Sequence, residues 1–370
     1  MNYKYLIVGC GISGAVIAER IANILQEKVL IIDKRQHIAG NIYDYTDANG
    51  ISVHKYGPHA FHTNNKSVWD YLSNFTGWHI YFHKVKAVVD GKTVDIPFNF
   101  NTLYDLFPAE YAKNLETKLI QNLGINKKIF ISDLKNNKDE DIKKLGEYIF
   151  EKIYAGYSFK QWGIRPEELD KNILNRVPVN LSKDNRYFQD KYQGIPLNGY
   201  TDMIQKILDN PLIDINLSCN FKDIKNKINW ETLIYTGPID EFFEFKYGQL
   251  TYRSLDFKFR EIDTEYFQTA AQVNYSENFD FTRITEFKHF NDAKSAKTAI
   301  SYEYPQEYLQ GKNEAYYPVA NTNNAELYQK YKDETPENVV FLGRLAEYKY
   351  INMDQAVENA LNKFNEMINR

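Results

Sequence analysis

Cysteine is nearly missing from this chain of 370 residues: Cys10 and Cys219 are the only two, far apart in sequence. They can build neither a disulfide framework nor a cysteine-rich metal site, and a cytoplasmic protein is expected. Long apolar runs are missing as well. No window approaches the roughly 18 to 20 uninterrupted apolar residues of a membrane span, and the mean hydropathy is −0.55. The N-terminus Met1-Asn2-Tyr3-Lys4 runs straight into strand-like residues without a long apolar region and cleavage site, so no signal peptide is expected. Excess charge is absent too. A net charge of −4 and a pI near 6.0 provide no global basic field for nucleic acid or an anionic membrane surface, so any anion must be held locally. Arginine is scarce, ten against thirty-five lysines, which makes each mid-chain arginine stand out from generic surface charge.

What the chain has is a globular balance, 43% hydrophobic and 25% charged residues, at a length that suggests two or three domains of roughly 150 residues each. It is also rich in rings: 29 Tyr and 23 Phe bring aromatics to 15%. Either the core is aromatic-heavy or a polar pocket lined for stacking exists. Near the N-terminus, Tyr5-Leu6-Ile7-Val8 reads as a buried strand and runs into Gly9-Cys10-Gly11-Ile12-Ser13-Gly14. A helix follows from Ala15 to about Leu25, then a second strand, Val29 to Ile32, ending at Asp33. This is a dinucleotide-binding βαβ unit. Glycines permit the turn and close approach, the helix N-terminus faces a pyrophosphate, and an acid about 20 residues on accepts from ribose hydroxyls. The extension Lys34-Arg35 and Ala39-Gly40-Asn41-Ile42-Tyr43 resembles the flavin version of this unit, which makes FAD the expected cofactor.

Farther along, residues 99–171 read as helices, with the run Lys135 to Asp141 as a solvated connection. Residues 250–304 read as an antiparallel sheet, with strands at Thr251–Arg260, Tyr266–Tyr275, Phe281–Phe290 and Thr298–Tyr304. Strand signals return at Thr232–Tyr235 and Val339–Leu342, and an amphipathic helix closes the chain from about Met353 to Ile368. The expected fold is α/β: a discontinuous Rossmann-like FAD-binding domain with an inserted helical domain and an antiparallel β-sheet domain. The boundaries are 1–95 for the first part of the FAD-binding domain, 96–180 for the helical domain and 181–240 for further FAD-domain segments and connections. The sheet domain follows at 241–315, and 316–370 is the last part of the FAD-binding domain.

Other segments carry chemistry. Phe341-Leu342-Gly343-Arg344 would bring a second backbone edge to a flavin, or is an ordinary strand before the last helix. His54, His59 and His62 lie close together around a Gly57-Pro58 turn. Lacking a carboxylate or cysteine nearby, they read as a polar wall rather than a metal centre, and no metal is expected. Lys160-Gln161-Trp162-Gly163, Gly194-Ile195-Pro196 with Gly199-Tyr200-Thr201, and Gly343-Arg344-Leu345-Ala346-Glu347-Tyr348-Lys349-Tyr350 complete a set whose order resembles the bacterial UDP-galactopyranose mutase family over essentially the whole chain.

The resemblance implies a redox-neutral isomerase that needs reduced FAD and interconverts the pyranose and furanose forms of UDP-galactose. Its chemistry would run through covalent attachment of the anomeric carbon to flavin N5 as UDP leaves. It implies that Arg176, on a loop, and Arg283 bind the diphosphate, with His62 beside the flavin as a further catalytic candidate. Tyr157 would stack on uracil, with Tyr154 and Trp162 nearby, although Tyr154 and Trp162 also read as helical core. Tyr187, Asn274, Tyr317 and Tyr350 would contact the diphosphate. The cofactor would rest on Gly9, Gly11, Ser13, Gly14, Asp33, Lys34, Asn41, His59, Gly343, Arg344 and Met353. Arg186 and Arg260 read as surface residues. Two positions depart from the family pattern: Asn352 where aspartate is frequent, and Ala39 where glycine is frequent. They keep open a related mutase for UDP-N-acetylgalactosamine or dTDP-fucose, and, as a rival, an amine-oxidase-like flavin oxidoreductase. The expected partner is a nucleotide sugar, UDP-galactose by default, with no nucleic acid, no membrane insertion and a homodimeric state.

Overall fold

The computed structural model describes residues 2–165 and 177–369. Five parallel strands form the first sheet, in the order Ile213–Asn216, Val29–Ile32, Asn2–Val8, Asn229–Tyr235 and Val339–Phe341. Val29 to Ile32 are buried on both faces, as an unbroken apolar run in a parallel sheet requires. Helix Ile12–Arg20 and the terminal helix Met353–Ile368 share one core with the Val16, Ile17, Val357 and Phe364 side chains. Each such aliphatic or aromatic side chain contributes about 1.5–3 kcal/mol by leaving water. The terminal helix starts where expected, fixed by a capping box between Asn352 and Gln355. The first helix starts earlier than expected, at Ile12, and widens to a π-helical turn over Ile21–Leu25.

The second sheet has seven strands and is not wholly antiparallel. Its order is Tyr317–Pro318, Tyr252–Ile262, Thr298–Glu307, Arg283–Glu286, Gln272–Tyr275, Val85–Val89 and Lys92–Ile96. The last two lie within residues 85–96, assigned from sequence almost wholly to the nucleotide domain, and Gln272–Tyr275 pairs with Val85–Val89 in parallel. Two expected strands shrink. Of Tyr266–Tyr275 only Gln272–Tyr275 is strand, because Glu286 accepts from the Phe267 and Gln268 N–H groups, giving them the acceptor that a strand neighbour would supply. Of Phe281–Phe290 only Arg283–Glu286 is strand, and Phe287–Phe290 winds into a 3₁₀ turn.

Residues 100–162 contribute the helices Phe100–Leu106, Ala109–Leu123, Ile131–Lys135, Glu140–Ile149 and Gly156–Trp162, the first four sharing a core with strands Val85–Val89 and Lys92–Ile96. Ile142, Leu145 and Ile149 put a buried stripe on one face of the fourth. The run Lys135 to Asp141 is shorter as a connection than expected. Asp139 accepts from the Asp141 and Ile142 N–H groups, and Glu140 and Asp141 form a first turn whose positive dipole end suits them. A small sheet of Phe61–Thr63, Tyr192–Pro196 and Trp78–Ile80 joins the histidine segment to the Gly194-Ile195-Pro196 segment. Among the described residues no helix is long and apolar enough to cross a membrane.

Candidate active site

At the carboxyl ends of the parallel strands lies a cavity of about 670 Å³. Gly9, Gly11, Ser13, Gly14, Asp33, Lys34, Asn41, His59, Gly343, Arg344 and Met353 all line it. Why glycine stands at position 14 is steric: a Cβ there would come within 2.1 Å of the Gly9 carbonyl oxygen. The helix beginning at Ile12 has no side-chain cap and no acid in its first turn, so its free N–H groups and positive dipole end face the cavity. Asp33 is held by the Cys10 and Arg35 N–H groups, each donating to a different carboxylate oxygen at 2.8 Å. Each oxygen keeps lone pairs for another donor. An uncapped helix start plus a fixed carboxylate fits the diphosphate and ribose of a dinucleotide. Lys34 and Arg35 both pair with Glu314 at the mouth, at 3.1 and 3.3 Å.

The histidine wall closes one side. The His59 N–H donates to His54 Nδ1 at 3.0 Å, which anchors the Gly57-Pro58 turn. Burial, with His54, Arg344 and Arg283 nearby, pushes His59 down to about 3, and burial with Arg283 pushes His83 down to about 3. Both rings are neutral near pH 7. His62 does not line this cavity. Its Nδ1 bonds Asp190 Oδ2 at 2.7 Å, and its ring stacks on Phe188 with centroids 3.5 Å apart.

Arg344, which lines the cavity, also faces a cluster of aromatic rings, here called the cleft. Tyr317 and Tyr350 stack with centroids 5.3 Å apart, Trp162 lies 6.1 Å from each, and the Arg344 guanidinium sits about 5 Å from both tyrosine rings. Arg283 stands opposite Asn274 across the hairpin and pairs with buried Glu303, Nε at 2.7 Å and Nη2 at 2.6 Å from one oxygen. Burial opposes its charge, but Glu303 more than offsets this and holds the guanidinium firmly charged. Two of five guanidinium N–H groups are thereby used and three remain. Tyr157 and Tyr317 are near enough to bear on Arg283 electrostatically, and the Tyr187 N–H donates to the His83 carbonyl at 2.7 Å. Tyr154 takes the other reading left open for it: it is buried in the helical core, its hydroxyl donated to the Val177 carbonyl. Trp162 is buried yet borders the cleft. Arg176 lies outside the described residues.

A family model described as UDP-galactopyranose mutase matches residues 152–350, and one described as NAD(P)-binding Rossmann-like domain matches residues 7–75. The chain is 36% identical to a probable UDP-galactopyranose mutase of Klebsiella pneumoniae, over 99% of this chain and 95% of that protein. The chain belongs to the UDP-galactopyranose mutase family. A dTDP-fucopyranose mutase of Escherichia coli is 35% identical over 97% of this chain and 96% of that protein. A solved structure of reduced UDP-galactopyranose mutase superposes with a TM-score of 0.75 at 17% identity, covering 100% of this chain and 94% of that one, and shows the shared fold. As a member of the UDP-galactopyranose mutase family the chain is an enzyme of the isomerase class, and its cofactor is FAD.

Sequence reasoning missed three residues that shape this site. Glu303 lies directly opposite Arg283 in the strand register, a relation set by pairing and invisible in linear sequence. Asp190 lies between Tyr187 and the Gly194-Ile195-Pro196 segment, and nothing beside it in sequence links it to His62. Arg253 donates to the Gln161 and Lys160 carbonyls at 2.9 and 3.1 Å, and its rarity as an arginine was the available signal.

Proposed function

We propose that this enzyme interconverts UDP-galactopyranose and UDP-galactofuranose without net redox change, using FAD in its reduced state. The observation that supports this most is Arg283: a charged guanidinium whose three remaining donors have no partner among the described residues, near tyrosines that Arg344 links to the FAD crevice. A departing nucleoside diphosphate needs cations and donors of this kind, and each charge-assisted hydrogen bond contributes about 1.5–3 kcal/mol. Phenols of Tyr187, Tyr317 and Tyr350 add donors without further charge. Tyr157 and Trp162 offer flat faces for the base. When bound and reduced, FAD supplies the nucleophilic centre for the anomeric carbon, so the chain need carry no nucleophile of its own. Neutral His59 and His83 add polarity beside the reacting centre without a competing positive charge. Cytoplasmic location and a homodimeric state go with this reading.

A second substrate, a dTDP-deoxy-sugar, is favoured by the Escherichia coli relative and by Asn352. That residue lines the cavity as a neutral amide where the resemblance led to the expectation of a carboxylate. The test is incubation of dithionite-reduced enzyme with UDP-galactose, UDP-N-acetylgalactosamine and dTDP-fucose, each ring form separated by chromatography. Furanose product from UDP-galactose is expected. No ring change in any of the three defeats the mutase reading, and reductant or oxygen consumed in step with product defeats redox neutrality.

A further inference from the structure

Two walls of the cleft come from parts of the chain more than a hundred residues apart. One is helix Gly156–Trp162, bearing Tyr157 and Trp162; the other is the hairpin from Gln272 to Glu286, bearing Asn274 and Arg283. A nucleotide held by both feels their spacing directly. They touch backbone to backbone: a Cβ on Gly156 would fall 2.2 Å from the Ser276 carbonyl oxygen, and the Ser276 hydroxyl donates to the Ile153 carbonyl at 3.0 Å. One helical turn later, Lys160 reaches across. Its ammonium donates to the carbonyls of Tyr275, Phe279 (3.0 Å) and Phe281 (3.0 Å), three acceptors spread around the hairpin turn. All three ammonium protons are thereby used.

We propose that Lys160 is a positioning residue that sets the distance between the aromatic helix and the Arg283 hairpin, and through it the affinity for the nucleotide diphosphate. This rests on the nucleotide-sugar reading above. Lys160 has its protons committed to carbonyls, so its effect on the ligand is transmitted through the two walls. A second bond, Lys152 to Glu277 at 2.9 Å, joins the π-helical turn just before this helix to the same hairpin, but between partly exposed groups, so it contributes little. Arg253 fixes the helix from the opposite side by donating to the Lys160 and Gln161 carbonyls. The seat requires an ammonium. Three carbonyls converging on one nitrogen suit a compact point charge with rotatable donors, whereas a planar guanidinium presents a fork.

The experiment measures UDP affinity and steady-state kinetics of wild-type holoenzyme, Lys160→Met and Lys160→Arg. Expected for Lys160→Met is a Kd for UDP raised at least tenfold, KM raised with kcat changed less, and the flavin spectrum retained; Lys160→Arg should not restore affinity. UDP binding by Lys160→Met within twofold of wild type overturns the proposal, and so does full rescue by arginine. Should Lys160→Met fail to fold, the wild type decides. Binding is reciprocal, so UDP must protect Lys160 against acetic anhydride, read by mass spectrometry relative to exposed Lys66. Unchanged labelling overturns the proposal. The wild type's own affinity reports on the function reading alone: no binding of UDP or dTDP overturns that reading and this inference with it, whereas normal wild-type binding with an unaffected variant faults only the role of Lys160.

Discussion

The cofactor crevice and the aromatic cleft proposed for the substrate meet at Arg344 but are built from different material. The crevice is made mainly by backbone: the uncapped start of one helix, a glycine turn, and a carboxylate that is itself fixed by two backbone N–H groups. Its glycine turn, helix start and carboxylate all come from residues 8–42, with further lining from 219–244, 308–315 and 343–356. The cleft is made by side chains carried on a helix, a hairpin, two loops and a short strand. A backbone-built site needs particular residues only where a side chain would obstruct, so it leaves a local pattern of glycines. A side-chain site needs its residues brought together by tertiary pairing and leaves none.

The largest expected effect separates the two regions. Arg283→Ala should lower turnover by about 10² to 10³-fold while the FAD absorbance stays unchanged, read by furanose formation and visible spectra. Because the substitution leaves Glu303 buried without its partner, an Arg283→Ala/Glu303→Ala double variant serves as the fold control. Near-normal turnover in either would show that the cleft does not use Arg283 for the diphosphate. Loss of flavin in the double variant would show that cleft and crevice are not separable.

That contrast also explains what the sequence made legible. Gly9, Gly11, Gly14 and Asp33 announced a dinucleotide site because spacing along the chain is the physical requirement itself. Arg283 and Tyr317 were singled out only through a resemblance, and nothing near Arg283 in sequence states that Glu303 will meet it, or that Lys160 will reach the hairpin that carries it. The strands at 85–96 were missed for a similar reason: their place in the seven-stranded sheet is set by a parallel partner, Gln272–Tyr275, that lies far away. Glu286 took the hydrogen bonds of a segment rich enough in aromatics to read as strand.

The junction of the two regions gives the next effect. His54, His59 and His83 are pushed down to about 4, 3 and 3, chiefly by burial. A histidine whose folded pKa lies below its unfolded value near 6.5 contributes stability in full above pH 6.5 and loses it as pH falls towards the folded value. At pH 5 the loss is about 2 kcal/mol per histidine, from roughly 1.5 pH units at 1.36 kcal/mol each. The melting temperature should therefore drop clearly between pH 7 and pH 5. An equal melting temperature at both would mean that the histidine wall accepts protons as freely folded as unfolded.

The smallest effect probes the crevice at Ala39, where the resemblance led to the expectation of glycine. Ala39 is fully buried and sits at φ +70°, the left-handed region. There a side chain costs about 1–2 kcal/mol. Glycine would relieve that strain, but it would lose about 0.8 kcal/mol of methyl burial and about 0.4–1 kcal/mol through the freer unfolded chain. These terms nearly cancel, so Ala39→Gly should change stability by less than about 1 kcal/mol. Ala18 is the matched control, equally buried but in the interior of the first helix, where strain relief is absent. Ala18→Gly should cost about 1.5–2 kcal/mol, the helical preference for alanine adding to the lost burial. Denaturant melts of the two variants compare the terms directly. If both lose the same stability, Ala39 carries no strain, and the turn that lines the FAD crevice tolerates alanine as readily as glycine.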